Sequence, residues 1–513
     1  MTSPEQIRIE FQSALRNRGA WESDWQDCYA YALPQRSFRA SADAINARRN
    51  DQLFDGTAAD AVEQLASSLL SELTPPWTRW VDLSHGTEIS VEERAYVAPS
   101  LERVSETLQS HFDRSNFAVE IHQCYLDLVT AGTACLLFEE APIGHSSAFR
   151  FTAVPIHDVV FDEGADGRLD RVWRRLRLSP DQFEVRFGQK APEADGENSN
   201  RMIKVIESVQ PSRTGYRYLV VHEQAEKDDG ILAEGEFASN PFIGFRWLKA
   251  PGEPYGRSPV MTALPDIKTA NKVVELVLKN ASIAVTGIWQ ADDDGVLNPA
   301  NIRLVPGTII PKAVGSAGLA PLVAPGRFDV SQIMLDDLRS RIRHALLVDR
   351  LGAIHGPRMT ATEVLERSAE MARVLGATHG RLQAELLSPL VARALNILTR
   401  RGEIPPVQID GRTVDLRYRS PLAAARDRSE AQSALTWLKT IGDMGPEASS
   451  VVDVPAFARW FADKMAVPQQ LLRQPMNLID PTIDAVEAIA SIADAGPEDL
   501  VNALAPEAME EAQ

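Results

Sequence analysis

The apolar residues of this 513-residue chain change their period twice, and that change limits the folds open to it. Up to about residue 140 they recur every three or four positions, as on the buried stripe of a helix. Trp21, Trp25 and Tyr29 keep that spacing ahead of Leu33-Pro34, where proline cannot continue a helix. Loops are expected at 33–50 and 75–89, and Ser90 is placed to cap a helix starting at Val91. From Ala148 to Lys249 the period falls to two. Phe149, Phe151 and Ala153 alternate with other residues, as do Val172, Arg174 and Leu176, and the runs Met202–Val209, Tyr216–Glu223 and Phe242–Leu248 lie between turn-forming clusters. This pattern predicts a mainly antiparallel sheet, with a brief helix begun by Ser179-Pro180 inside it.

Helical spacing then returns. Leu264, Ile267, Asn271, Val274, Leu278 and Ser282 predict a helix over about 260–285, and Ile333, Leu338, Ile342 and Leu346 a second over 331–348. Between them, 288–328 is broken by Asn298-Pro299, Pro306-Gly307 and Pro325-Gly326. Asp292-Asp293-Asp294-Gly295 in that stretch has the chemistry of a hairpin turn and lacks the closing glutamate of a calcium loop. After a glycine-rich stretch at 349–359, Thr360-Ala361-Thr362-Glu363 has the form of a capping box. The helix it begins is expected to run to about Arg401, on the order of 60 Å, and to be kinked or divided by Pro389. The chain therefore reads as α+β with several domains and long rods.

One block carries more than packing. Residues 53–58 read Leu-Phe-Asp-Gly-Thr-Ala, Thr57 is placed as an N-cap, the helix behind it buries Leu65, Leu69 and Leu70, and Leu73-Thr74-Pro75-Pro76 ends it. With the Trp21/Trp25/Tyr29 stripe and Leu33-Pro34 before it, this order resembles the head-to-tail connecting (portal) proteins of short-tailed, T7-like bacteriophages. Three further strings resemble the same family: Gly252-Glu253-Pro254-Tyr255-Gly256-Arg257-Ser258-Pro259 before the first rod, Arg358-Met359-Thr360-Ala361-Thr362-Glu363-Val364 followed by Glu385–Leu390, and Tyr418–Ala423 before a helix. Together they span about 20–425 in the family's order; the last 80 or so residues carry no matching motif.

The resemblance implies a multidomain portal fold. Residues 1–256 would be the wing (helical 1–140, β-rich 148–250), 257–287 the first stem helix, 288–330 the clip, 331–348 the second stem helix and 349–359 the tunnel loop. Residues 360–425 would be the long wing helix with its return, and 426–513 a helical crown. It further implies a homododecamer at one capsid vertex, through which double-stranded DNA passes on packaging and ejection without sequence-specific binding. Its partners would be the major capsid and scaffold proteins, the large terminase subunit and a tail adaptor. Assembly would occur in the host cytoplasm and the product would reside in the virion. Lys268, Lys272, Arg339 and Arg343 fall on the implied stem. Arg350 and Arg358, with His355 between them, fall on the implied tunnel loop. On the residues alone the two loop arginines are equally DNA contacts, solvated charges or intersubunit ion pairs.

Charge agrees with a conduit more than with a groove reader. The net charge of −18 opposes firm phosphate binding, since a wrapping protein needs basic patches to displace counterions. It is uneven, with thirteen acids against three bases after residue 440 and eleven arginines against eight acids over 331–403, so the positive charge lies in and around the implied tunnel loop. No apolar run reaches the ~18 residues that would cross a bilayer, and the N-terminus lacks a signal-peptide pattern. Cys28, Cys124 and Cys135 do not frame a disulfide scaffold, and His122 with Cys124 has no second ligand pair at zinc spacing. Phosphate loops, dinucleotide fingerprints, nucleophile elbows and zinc helices are all missing from the sequence, so neither an enzyme nor a cofactor is expected. A packaging ATPase would have to be another protein. The remaining alternatives are a phage scaffold or adaptor ring without a DNA conduit and, more remotely, an enzyme with an unrecognised site.

Overall fold

The computed structural model describes residues 3–36, 53–76, 78–86, 91–190, 202–223, 231–286, 289–291, 319–321, 328–351, 376, 378–407, 414–418, 421–445, 451–465 and 467. Helix α1 (Pro4–Ala32) starts where Ser3 accepts the Gln6 amide and Pro4 fills the first helical position, and it stops at Leu33-Pro34. Helix α2 (Thr57–Leu73) buries Ala58, Ala61, Val62, Leu65, Ala66, Leu69 and Leu73. Its cap corrects the sequence reading. Gly56 is the N-cap and Thr57 the first helical residue, while the Asp55 carboxylate accepts the Thr57 amide at 3.0 Å. An aspartate two residues ahead satisfies the free N–H better than a threonine hydroxyl, because the acceptor is charged.

The expectation of helix over 1–140, broken only by loops at 33–50 and 75–89, also needs correction. Strand β1 (Val81–His85) precedes α3 (Val91–Arg114), α4 (Phe117–Ala131) follows, and strand β2 (Thr133–Glu140) occupies the end of that span. β1 reads Val-Asp-Leu-Ser-His and lies in the stretch expected to be a loop, while β2 opens on a short, nearly unbroken apolar run that periodicity alone cannot separate from a buried helix turn. Ser90, the expected cap of α3, lies outside the described residues.

Over 148–249 the sheet prediction holds, as two antiparallel sheets, the first of which also takes in β2. β2 is the middle strand of three, between β3 (Phe149–Val154) and β9 (Phe242–Arg246). It is buried over its first six residues, which explains its unbroken apolar run. The second sheet is a meander of β4 (Val159–Asp162), β5 (Arg171–Leu178), β6 (Ile203–Ser212), β7 (Gly215–His222) and β8 (Ile231–Phe237). Helix α5 (Pro180–Phe187) leaves β5 through the expected cap: Ser179 and Gln182 form a reciprocal capping box. The first turns of α1 lie on this sheet, with Ile7, Phe11 and Ala14 against Val160, Trp173, Ile206, Leu219 and Val221.

The two rods are α6 (Pro259–Thr286) and α7 (Phe328–Ala345), packed along each other. The second is displaced from the expected 331–348. It ends in a turn in which Leu347 has φ 59°, and a single-turn helix α8 (Val348–Leu351) follows, so the first three residues of the implied tunnel loop are helical. Of the implied clip, β10 (Trp289–Ala291) pairs antiparallel with β11 (Leu319–Pro321); Asp292–Gly295 and most of the rest lie outside the described residues. So does the Thr360 capping box.

The end of the expected long helix is present. Five residues, Gln383–Leu387, form a π-turn that runs into α9 (Ser388–Arg401). Strand β12 (Val414–Tyr418) returns to pair with β1, from Val81↔Tyr418 to His85↔Val414. Helices α10 (Pro421–Asp443) and α11 (Val454–Lys464) close the described chain by packing on each other. A single large core joins α1–α4, the three-stranded sheet, the near ends of α6 and α7, and α9. No helix among the described residues is long and apolar enough to cross a membrane.

Candidate functional site at the root of the helical hairpin

The motifs that stood out in the sequence meet where α6 leaves the body. Trp25 and Tyr255 are fully buried edge to face, ring centroids 5.0 Å apart, and Trp21 lies 6.0 Å from Tyr255. The Trp25 indole N–H donates to the Ala131 carbonyl at 2.9 Å, and the Tyr255 hydroxyl accepts the Phe161 amide at 3.1 Å, so neither polar tip is left bare. Arg257 lies over the Trp21 ring and chelates Glu253.

Two glycines make this junction possible. Gly132 ends α4 at φ 80°, and its backbone lies against that of Gly256 so closely that a Cβ on either residue would fall 2.3 Å or less from the other's carbonyl oxygen. Gly256 donates to Thr133 Oγ1 at 2.8 Å. Ser258 Oγ accepts the Met261 amide and donates to the Thr130 carbonyl, which caps α6 and ties it to the end of α4. The string Gly-Glu-Pro-Tyr-Gly-Arg-Ser-Pro is thus the socket of the first rod.

The second motif block bolts both rods to α2. Asn271 of α6 accepts the Phe54 and Asp55 amides at 2.7 and 3.1 Å, and Arg339 of α7 pairs with the Asp55 carboxylate at 2.8 Å. Burial alone would raise the Asp55 carboxyl; hydrogen bonds from Thr57 and from Arg339 outweigh it and hold the group below its ordinary range. A depressed acid pKa contributes stability above its unfolded value and loses it as pH falls through the folded value. Arg339→Ala leaves a buried Asp55 without its counter-charge and should cost about 1–3 kcal/mol at neutral pH. Melting curves of wild type and variant against pH should converge in acid, below the ordinary aspartate value of 3.8. A gap that persists there would mean packing, not charge, links Arg339 to α2.

The other residues assigned to the stem divide. Lys268 pairs with Asp27 of α1 at 2.6 Å, within the subunit, and Lys272 pairs with Glu275 one turn on. Arg343 is exposed and forms no ion pair among the described residues. Arg350 belongs to α8, but its side chain lies outside the description, as do His355 and Arg358 entirely. Leu338 and Ile342 on α7, and Leu346 just beyond its end, are buried as expected, whereas Ile333 is 72% exposed beside Met334. On α6, Leu276 and Leu278 are likewise about half exposed. The near ends of the rods are rooted in the body and their far ends carry bare apolar side chains.

A clamp that the sequence did not announce braces the same region. Arg246, at the end of β9, is completely buried and pairs with Glu385 of the π-turn at 2.6 Å; its guanidinium also donates to the carbonyls of Gly167 and Pro254. Arg393 of α9 is buried against Phe138 and Phe237 and donates to the carbonyls of Phe138 and Ser239. Burial, aided by the nearby Arg400 charge, lowers its pKa to about 10. In sequence both arginines look like surface charges; only their tertiary partners distinguish them.

No chemistry gathers here. The three cysteines are buried free thiols, with burial pushing Cys28 up to about 12, and no group of acidic, histidine or cysteine side chains among the described residues could hold a metal ion.

Comparison with known proteins agrees with the sequence motifs. Residues 5–472 match the family described as bacteriophage head to tail connecting protein. The probable portal protein of Bordetella phage BPP-1 is 24% identical over 488 residues, covering 89% of this chain and 86% of that protein. The portal protein of Enterobacteria phage T3 is 23% identical over 410 residues, covering 78% and 75%. Among solved structures, a chain from the neck of an empty gene transfer agent particle, computed with C6 symmetry, matches with a TM-score of 0.37 at 12% identity, covering 77% of this chain and 90% of that one.

Proposed function

The chain belongs to the bacteriophage head to tail connecting protein family, and from that premise we propose that it is a portal subunit: twelve copies form a ring at one capsid vertex through which DNA enters and leaves. The observation that carries this reading is the helical hairpin. Its near end is fixed by Asn271, Arg339, Lys268 and the glycine socket, while Leu276, Leu278, Ile333 and Met334 stand exposed on its far half. A rod anchored at one end with unmatched apolar residues at the other suits packing against the next subunit, and a head-to-tail contact that closes makes a ring.

In that ring α6 and α7 are the stem, 288–330 the clip that meets the large terminase subunit and then the tail adaptor, 349–359 the tunnel loop, and 426–513 the crown. The wing contacts capsid and scaffold proteins. The role is structural rather than catalytic. Arg350 and Arg358 touch passing phosphates transiently, while the overall negative charge keeps duplex DNA from adhering.

Electron microscopy and light scattering of the purified full-length protein test the assembly, and in vitro packaging tests the conduit. Rings with a central hole are expected. Arg350→Ala with Arg358→Ala should leave them intact while impairing packaging or retention of DNA. A stable monomer at micromolar concentration, or an elongated solid particle, would overturn the portal reading. Normal packaging by the double variant would remove only the loop's DNA contact.

A further inference from the structure

The π-turn at Gln383–Leu387 places one residue more in its turn than an α-helix would, and such insertions persist only where something holds them. Pro389 makes the position permissive, because it has no N–H to give the Glu385 carbonyl and the α-helical ladder would break there regardless. Ser388 secures the wide turn locally: its amide and its hydroxyl both donate to the Gln383 carbonyl, and the hydroxyl lies 3.0 Å from Tyr418 Oη. The long-range restraint is Glu385, whose carboxylate takes the Arg246 backbone amide at 2.9 Å as well as the guanidinium. Arg246 is itself held by β9 and by the loop carbonyls of Gly167 and Pro254, so the contact joins the π-turn to the body of the protein. Upstream, the Arg381 Nε is buried without a hydrogen-bond partner among the described residues.

We propose that Arg246 and Glu385 form a register latch. While the pair is made, the extra residue stays in the π-turn. When it is released, Gln383–Leu387 closes to α-helical hydrogen bonding and the helix N-terminal to it moves by one residue, about 100° and 1.5 Å, relative to a stationary α9. Leu382, now buried, leaves its site, and Arg381 changes its surroundings. The latch is a property of the fold and does not depend on the ring reading.

The test is hydrogen exchange on the full-length protein in wild type and in Arg246→Met/Glu385→Met, which replaces the ion pair with apolar side chains of similar volume and can preserve stability. Amides of 378–388 should exchange at least about tenfold faster in the variant, because each passage between the two registers breaks their hydrogen bonds, while those of β9 and of 391–401 keep wild-type protection. Deleting Gln383 in the variant removes the inserted residue and should restore slow exchange over 384–388. If the double substitution prevents folding, Glu385→Gln gives the same comparison with the charge alone removed. Unchanged exchange over 378–388, or a loss of protection spread evenly through β9 and α9, would overturn the latch.

Discussion

Gly256→Ala should be among the most damaging single methyl groups that can be added to this protein, with a loss of about 3 kcal/mol or more. The new Cβ would sit 2.2 Å from the Gly132 carbonyl oxygen and 2.9 Å from Arg246 Cβ. The closest obstacle is backbone, pinned by the Trp247 amide on that same oxygen, and it cannot rotate away. Gly188→Ala provides the contrast. That glycine, unlike Gly256, has positive φ, 65°, but a Cβ there meets nothing within 4 Å, so its whole cost is the left-handed backbone penalty of about 1 kcal/mol. Thermal unfolding of the two variants should separate them clearly; equal losses would show that the socket at the base of α6 can open without cost.

Trp25→Ala should cost about 3–5 kcal/mol, the range for emptying a fully buried large aromatic site. It removes the edge-to-face contact with Tyr255 and leaves the Ala131 carbonyl without its indole donor. Trp25→Phe keeps most of the volume and loses the hydrogen bond, and is expected to fall at about a third of that cost. Chemical denaturation of both variants reads the difference. Because Tyr255 belongs to the socket, we also expect Trp25→Ala to lower the yield of assembled particles more than the loss of stability alone explains.

These positions show how far the sequence could be read. The aromatic stripe, the capping box at Ser179, the sheet between 148 and 249 and the rooted half of each rod follow local periods, and local periods survive tertiary packing. The motif blocks were recognisable by their order, yet their physical role was not. Nothing near Phe54-Asp55 in the chain indicates that Asn271 and Arg339 will grip it, because those partners lie 217 and 284 residues away. Strand β1 falls in a stretch whose residues read as a loop for the same reason, since its only strand partner among the described residues is β12. The π-turn could not be seen because an i to i+5 step leaves a pattern of buried leucines, 382, 386, 387 and 390, that an α-helix also produces. The buried Arg246 and Arg393 defeat composition-based reasoning altogether, as their desolvation is met by carbonyls and a carboxylate from separate elements.

The distances along the chain at the root of the hairpin also set the order in which the protein can be made. Asp27 waits 241 residues for Lys268 and Asp55 waits 284 for Arg339, so the contact order of this junction is high and its loop-closure entropy must be met before any of it is stabilised. On the ribosome, α6 emerges with Leu276 and Leu278 well before α7 exists to hold it. A nascent chain therefore holds a sticky rod that is not yet braced, and becomes a competent building block only after α7, α9 and β12 have all been translated. Association between rods that precedes α7 would join unbraced elements, so the spacing of a few polar contacts sets when in synthesis association becomes productive.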